Sequence, residues 1–274
     1  MSDFNLAILG CGVMGTAIAN AILNSDIPNK PKKIYALNKD LEAFGPVKDK
    51  LTHEKIQLCH DVETNKRAIA DSTVIVLGCK PFMYKPIYEQ VKDSLNGEQL
   101  LISLLAGVTI EELSIYTPYV ARIMTNTPAQ FGAGTAGIAF SPEAETKYSD
   151  LAIELIGTVG LAFRLPESNM DAATALIGSG PAFVMLMMEA MIDGGIRMGL
   201  TYDVARISAA KVMEGTAKMV LETGEHPAAL KAKVCTPGGT TIGGLLKLED
   251  AGVRGAIARC IEEAANISKS FSKK

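Results

Sequence analysis

Three glycines near the start of the chain carry the strongest chemical signal. Gly10, Gly12 and Gly15 have the spacing G-x-G-x-x-G, and the positions between them are Cys11, Val13 and Met14. An apolar stretch typical of a strand precedes the motif, and a helical pattern follows it. In that context the glycines permit a tight turn, close approach of a ligand, and close packing of helix on strand. The free N–H groups at the helix start then bind phosphates, so the sequence predicts a dinucleotide site.

The residues after the second predicted strand, at 33–37, distinguish between the nicotinamide dinucleotides. An acidic side chain there usually accepts hydrogen bonds from the ribose of NAD. Here Asn38 carries no charge to repel a 2′-phosphate, and Lys39 carries one that attracts it. The sequence therefore favours NADPH. NADH stays an alternative, since a two-residue shift of the strand end would place Asp40 at the ribose and leave Lys39 as a solvated turn residue.

Two further turns follow predicted strands, at the edge where open α/β sheets bind ligands. Lys80 and Pro81 come after the strand predicted at 73–78, and Ala106 and Gly107 after the one at 99–105. Small residues at 106 and 107 would let a nicotinamide ring lie against the backbone. The alternative is that both are ordinary strand-to-helix turns.

A second glycine-rich turn lies at residues 236–242. It contains Gly238, Gly239, Thr240 and Thr241 and leads into a helical pattern. Free N–H groups of the first helical turn, together with the threonine hydroxyls, would bind a carboxylate. From the spacing alone, a loop in which a threonine caps the helix is an equal alternative.

Other classes of chemistry lack the residues they need. The 5 cysteines contain no C-x-x-C pair, and the 3 histidines are scattered, so neither a metal site nor a hydrolytic triad is predicted. The cysteine pattern favours reduced thiols and a cytoplasmic location, and we see no targeting peptide. A formal charge of -3 argues against nucleic-acid binding.

The elements that must position these residues change character along the chain. Residues 1–166 alternate strand and helix patterns, which predicts a Rossmann-type, doubly wound and mostly parallel sheet. Residues 167–274 contain helical patterns throughout, including a long helix at 202–223, and predict an all-helical domain that pairs with a second copy. The uncharged run at 172–188 is short for a bilayer and contains Gly178 and Pro181, so we expect no membrane span.

The chain resembles the pyrroline-5-carboxylate reductase family along nearly its whole length. The resemblance rests on the glycine motif and on six further stretches: VLGCKP at 76–81, LAGVTI at 105–110, RIMTNTP at 122–128, DAATALIGSGPA at 171–182, DGGIRMGL at 193–200 and VCTPGGTTI at 234–242. The last stretch is the most specific to the family.

The resemblance implies roles for particular residues. The glycine loop, Asn38, Lys39 and Asn65 would bind NADPH, and the turns at 80–81 and 106–107 would flank the nicotinamide. Residues 238–241 would bind the carboxylate of pyrroline-5-carboxylate, with Thr241 contacting the substrate and Glu167 lying near it. The resemblance also implies a homodimer with interleaved helical domains, with further assembly into a decamer.

The implied reaction is hydride transfer to a cyclic imine, which gives L-proline at the end of proline synthesis. Thr241 would hydrogen-bond the ring nitrogen, and Glu167 would stabilise the iminium or relay a proton. One alternative is a 3-hydroxyacid dehydrogenase, for which Lys211 and Lys218 are the candidate catalytic lysines. Another is a non-catalytic NADPH-binding sensor.

Overall fold

The computed structural model describes residues 3–271 of the 274-residue chain. The chain forms two compact units. The first comprises the residues up to Ser179 together with those from Ala264 onward, and the second is Gly180–Glu263. The division into domains after residue 166 stays a prediction.

Within the described part of the chain, the first unit contains an eight-stranded sheet in the order β3-β2-β1-β4-β5-β6-β7-β8. The strands are β1 (Asn5–Leu9), β2 (Lys33–Leu37), β3 (Ile56–Cys59), β4 (Val74–Leu77), β5 (Leu100–Ser103), β6 (Val120–Met124), β7 (Gly134–Phe140) and β8 (Gly160–Arg164). β1 to β6 are mutually parallel, β7 is antiparallel to β6, and β8 is parallel to β7. The predicted doubly wound, mostly parallel sheet is confirmed.

Helices cover both faces of this sheet. They are α1 (Val13–Asn24), α2 (Val62–Ala70), α3 (Tyr84–Val91), α4 (Ile110–Leu113) and α5 (Pro142–Gly157). On one face Ile18 of α1 and Leu155 of α5 pack in the same core cluster, and on the other Ile69 and Leu113 form part of a second cluster. Because both faces are covered, β4 is apolar at every position and fully buried.

β3 was not predicted from the sequence. It has four residues with the polar Gln57 among them, and it lies at the edge of the sheet, where it is only partly buried. An edge strand buries less apolar surface than a central one, so its sequence pattern is weaker. In contrast, the predicted bounds of β2 are those observed.

The rest of the chain is helical. α6 (Met170–Ala173) leads through a π-helical turn (Thr174–Gly178) into α7 (Gly180–Arg197), and α8 (Tyr202–Thr223), α9 (Pro227–Val234), α10 (Thr240–Asp250) and α11 (Val253–Phe271) follow. The helix predicted at 202–223 is confirmed as α8. It ends at Gly224, whose φ of 63° is the left-handed conformation typical of a helix C-cap.

The helices of the second unit expose much apolar surface in the single chain. Each of the following side chains is at least 44% exposed: Val184, Met185, Leu186, Met198, Val204 and Ile207. By length and composition alone, the 31-residue helical run Glu167–Arg197 would be able to cross a membrane, and 11% of its most apolar window is buried. An exposed apolar surface of this extent marks an interaction site.

Candidate functional site

The glycine loop forms the tight turn that its sequence predicts. The N–H groups of Gly10 and Cys11 donate to the carbonyl of Leu37 at 3.0 and 3.1 Å, which ties the loop to the end of β2. Gly10 has a φ of 78°, and a Cβ atom there would lie 2.8 Å from the backbone nitrogen of Cys79. Only glycine fits this position, because both the conformation and the neighbouring chain exclude a side chain.

The space above Gly12 is open. A Cβ atom at Gly12 would meet no other atom within 4 Å, and no side chain caps the start of α1 in the described part of the chain. The N–H groups of the first helical turn, which includes Val13, Met14 and Gly15, are therefore available to a ligand. An uncapped helix start beside an open glycine is the arrangement that binds a pyrophosphate.

Two asparagines hold this loop from the side of β2. Asn38 follows β2 directly, and its Nδ2 donates to the carbonyl of Cys11 at 3.1 Å. Asn65, in α2, donates from Nδ2 to the carbonyl of Asn38 at 2.9 Å. Its Oδ1 is buried and has no partner among the described residues, so it fits a ligand that supplies a donor, such as a ribose hydroxyl. The contact from Asn38 to the glycine loop was missed, because it joins residues 27 positions apart.

Lys39 faces solvent, whereas Asp40 forms a hydrogen bond with the backbone that follows it. The side chain of Lys39 is 83% exposed, and its Nζ lies 3.5 Å from Asp40. Asp40 accepts the N–H of Ala43 at 2.7 Å and so holds the start of the following 3-10 segment (Glu42–Lys50). Since β2 ends at Leu37 as predicted, Asn38 and Lys39, rather than Asp40, are the first residues beyond the strand.

The two other predicted turns lie at the same edge of the sheet. Lys80 and Pro81 follow β4, and Ala106 and Gly107 follow β5, its parallel neighbour. Lys80 is exposed, whereas Gly107 is buried and has a φ of 77°. The turn after β4 lies beside β1, where the strand order reverses and where ligands bind in such sheets, and the turn after β5 lies next to it.

Glu167 makes contacts that its sequence did not predict. Its Oε1 accepts the N–H of Ile110, the first residue of α4, at 2.7 Å. The same oxygen accepts a hydrogen bond from Nη1 of Arg122, in β6, at 3.1 Å. Both partners are donors, so the carboxylate acts as an acceptor in this structure.

The turn at residues 236–242 is in the second unit and leads into α10. Gly238 has a φ of 66°, and the N–H of Gly239 donates to the carbonyl of Thr236 at 3.0 Å. The cap residue of α10 is Gly239, and among the described residues no side chain caps the helix. The alternative of a threonine cap is therefore wrong. The N–H groups of Thr240 and Thr241 begin an uncapped helix, a favourable place for a carboxylate.

One thiol, that of Cys11, belongs to the glycine loop, and another, that of Cys79, follows β4 next to Gly10. Burial raises the pKa of the fully buried Cys11 to about 11, and it raises the pKa of the half-buried Cys79 to about 11 as well. All five cysteines are free. Within residues 3–271 no cluster of histidine, cysteine and acidic side chains could hold a metal ion.

Comparison with known proteins matches both parts of the chain. Residues 167–271 match the family model described as pyrroline-5-carboxylate reductase dimerisation, and residues 5–107 match the model described as NADP oxidoreductase, coenzyme F420-dependent. A pyrroline-5-carboxylate reductase from Kluyveromyces lactis is 46% identical over 286 residues, which cover 100% of both chains.

Solved structures share the whole fold. A pyrroline-5-carboxylate reductase from Coxiella burnetii has a TM-score of 0.86 at 28% identity, covering 100% of each chain. A pyrroline carboxylate reductase from Plasmodium falciparum, solved with NADP bound, has a TM-score of 0.85 at 24% identity and covers 99% of each chain. At that identity the second likeness supports the fold alone.

Proposed function

The chain belongs to the pyrroline-5-carboxylate reductase family, and from that premise we propose which of its residues perform the reaction. It reduces 1-pyrroline-5-carboxylate to L-proline with a hydride from NADPH, the final step of proline synthesis. The single observation that carries this assignment is the 46% identity to a named reductase over the full length of both chains.

The dinucleotide is bound by the glycine loop and the residues beside it. Gly12 and the free N–H groups at the start of α1 would hold its pyrophosphate, since a Cβ atom at Gly12 would meet nothing within 4 Å. Asn65 accepts a hydrogen bond from the ligand through its unpartnered Oδ1, and Lys39 attracts the 2′-phosphate. When bound, NADPH supplies the hydride. Ala106 and Gly107, with Lys80 and Pro81, flank its nicotinamide.

The substrate carboxylate is bound by the turn before α10. Gly238 and Gly239 shape the turn, and the uncapped N–H groups of Thr240 and Thr241 donate to the carboxylate. The hydroxyl of Thr241 hydrogen-bonds the ring nitrogen. A substrate that arrives as the iminium needs no protein acid, so the residues contribute chiefly by holding donor and acceptor carbons in place. Glu167, as a hydrogen-bond acceptor, stabilises the positive charge of the iminium.

A spectrophotometric assay tests this function directly. Purified protein is mixed with pyrroline-5-carboxylate and either NADPH or NADH, and loss of the reduced-nicotinamide absorbance is followed. We expect turnover with both, and a lower KM for NADPH. Oxidation of 3-hydroxyisobutyrate with NADP instead would identify a 3-hydroxyacid dehydrogenase, and NADPH binding without turnover would identify a sensor.

The chain oligomerises through its helical region. Supporting observations are the match of residues 167–271 to a dimerisation family and the exposed apolar side chains of α7 and α8. We propose a homodimer that assembles further into a decamer. Light scattering coupled to gel filtration distinguishes two subunits from ten.

We also propose a cytoplasmic location. The five free thiols support it, because a reducing compartment keeps cysteines in this form. Fluorescence microscopy of a tagged chain, with cytoplasmic and organelle markers, tests it.

A further inference from the structure

A buried arginine in β6 has no role in the reaction described so far. The side chain of Arg122 is 4% exposed. Among the described residues its one partner is Glu167, and both Nε and Nη2 are buried without an acceptor. A guanidinium removed from water is costly even when it is paired, and each unpaired N–H adds to that cost. Stability alone therefore does not account for this residue.

The contact that Arg122 makes reaches the turn after β5. Oε1 of Glu167 accepts two hydrogen bonds, one from Nη1 of Arg122 at 3.1 Å and one from the N–H of Ile110 at 2.7 Å. Ile110 begins α4 and lies three positions after Gly107. One carboxylate oxygen thus joins β6 to the end of the turn that contains Ala106 and Gly107.

The same turn is also held on its other side. Thr109 caps α4 and forms a capping box with Glu112, whose Oε2 accepts both the N–H and the hydroxyl of Thr109. The hydroxyl of Tyr84 donates to Oε1 of Glu112 at 3.1 Å, and Tyr84 begins α3, just after the turn at Lys80 and Pro81. The side chains of Tyr84 and Glu112 therefore join the two loops proposed to flank the nicotinamide. The hydrogen bond from Ile110 to Glu167, which also pairs with Arg122, connects these loops to β6.

We propose that Arg122 is a positioning residue for hydride transfer. It acts through Glu167 and the N–H of Ile110, which fix the turn that would flank the nicotinamide. The proposal rests on the proposed function and adds to it a specific path of contacts. A misplaced turn changes the donor–acceptor distance in the reacting complex, so the effect appears in the hydride step rather than in ligand binding.

The first experiment replaces the arginine. For Arg122→Met we expect kcat to fall about tenfold, with the KM values for NADPH and substrate within about twofold of wild type. The primary deuterium isotope effect on kcat, measured with 4-deuterated NADPH, should rise. Arg122→Lys should restore part of kcat, because one charged donor to Glu167 remains.

The matched control is Arg164→Met. Arg164 is also in the sheet and also pairs with acidic side chains, Glu145 and Asp150, but it is half exposed. We expect this variant to keep the wild-type kcat and isotope effect. Turnover by the wild type and this control establishes the proposed function independently. If neither turns over pyrroline-5-carboxylate, the proposed function fails and the positioning role fails with it.

A second pair of variants removes only the backbone donor and is informative even if Arg122→Met does not fold. Ile110→Pro deletes the N–H that reaches Glu167, and proline is well tolerated at the first position of a helix. The preceding Thr109 is extended, with φ -81° and ψ 163°, as a residue before proline prefers. Ile110→Val keeps the N–H while it also shortens the side chain.

We expect Ile110→Pro to lower kcat about tenfold and raise the isotope effect, and Ile110→Val to stay within about twofold of wild type. Equal kcat and isotope effect for the two variants would overturn the proposal. It would likewise be overturned if Arg122→Met folds with a lower melting temperature but keeps the wild-type kcat and isotope effect, since that result describes a purely structural residue.

Discussion

Gly15 of α1 lies so close to Ile8 of β1 that a Cβ atom on Gly15 would come within 2.8 Å of Cγ2 of the isoleucine. Ile8 is fully buried and branched at Cβ, so it has little freedom to move aside. Gly12, three positions earlier, faces open space. Two glycines of one motif therefore serve different purposes: one permits the packing of helix on strand, and the other leaves room for the ligand.

The contrast predicts opposite results for one substitution at the two positions. Gly15→Ala should lower the free energy of unfolding by about 1 kcal/mol net, because overpacking exceeds the gain in helix propensity. Gly12→Ala should leave the melting temperature unchanged but raise the KM for NADPH at least about tenfold, since the methyl group occupies the space of the pyrophosphate. Thermal unfolding and steady-state kinetics of both variants check this. An equal loss of stability in the two would contradict it.

Lys39 should determine the preference for NADPH. Its ammonium group is exposed and lies 3.5 Å from Asp40, an ion pair at the surface that the 2′-phosphate, which NADH lacks, can replace. For Lys39→Ala we expect the KM for NADPH to rise about tenfold, the size of one charge-assisted hydrogen bond, and the KM for NADH to change little. Lys32→Ala is the control, because Lys32 lies just before β2 at the opposite edge of the sheet and pairs with Asp3. A parallel change in both KM values would remove this role.

Thr241 should matter through its hydroxyl. Loss of one hydrogen bond to the reacting ring in Thr241→Ala should lower kcat/KM for pyrroline-5-carboxylate about tenfold, and Thr241→Ser should keep most of the activity. Thr146→Ala is the matched control, since Thr146 is an exposed helical threonine of α5 whose hydroxyl donates to the carbonyl of Pro142 in its own helix. Wild-type kinetics in Thr241→Ala would end its assignment as a catalytic residue.

The thiol of Cys79 should react slowly with alkylating reagents. The thiolate is the reactive form, and burial raises the pKa of Cys79 from 9.0 to about 11. Near neutral pH the thiolate is then about a hundredfold rarer than for the same thiol with its ordinary pKa, and the rate should rise about tenfold with each pH unit up to about pH 11. Mass spectrometry of iodoacetamide-treated protein measures this rate, with urea-unfolded protein as the reference. Equal rates in the folded and unfolded chain would show that the thiol is not protected.

Much of the fold and of the cofactor site was predictable because it depends on residues close together in the chain. The glycine motif between a strand and a helix predicted the loop, and the bounds of β2 and α8 agreed with their apolar patterns and flanking residues. These features follow from local backbone requirements: a left-handed glycine, a buried strand, a helix end. β3 was missed because an edge strand needs less apolar surface.

The tertiary structure alone decided which side chains meet. Arg122 and Glu167 are 45 positions apart, and Glu167 and Ile110 are 57 apart, so no spacing in the sequence indicates that one carboxylate oxygen joins them. The sequence indicated Asn38 as a contact of the ligand. It did not indicate the hydrogen bond from Asn38 to Cys11, because that bond depends on the pairing of β1 with β2. The sequence by itself determined the kinds of elements and the chemistry of their ends. The order of strands determined the contacts, because distant residues become neighbours only when the sheet has formed.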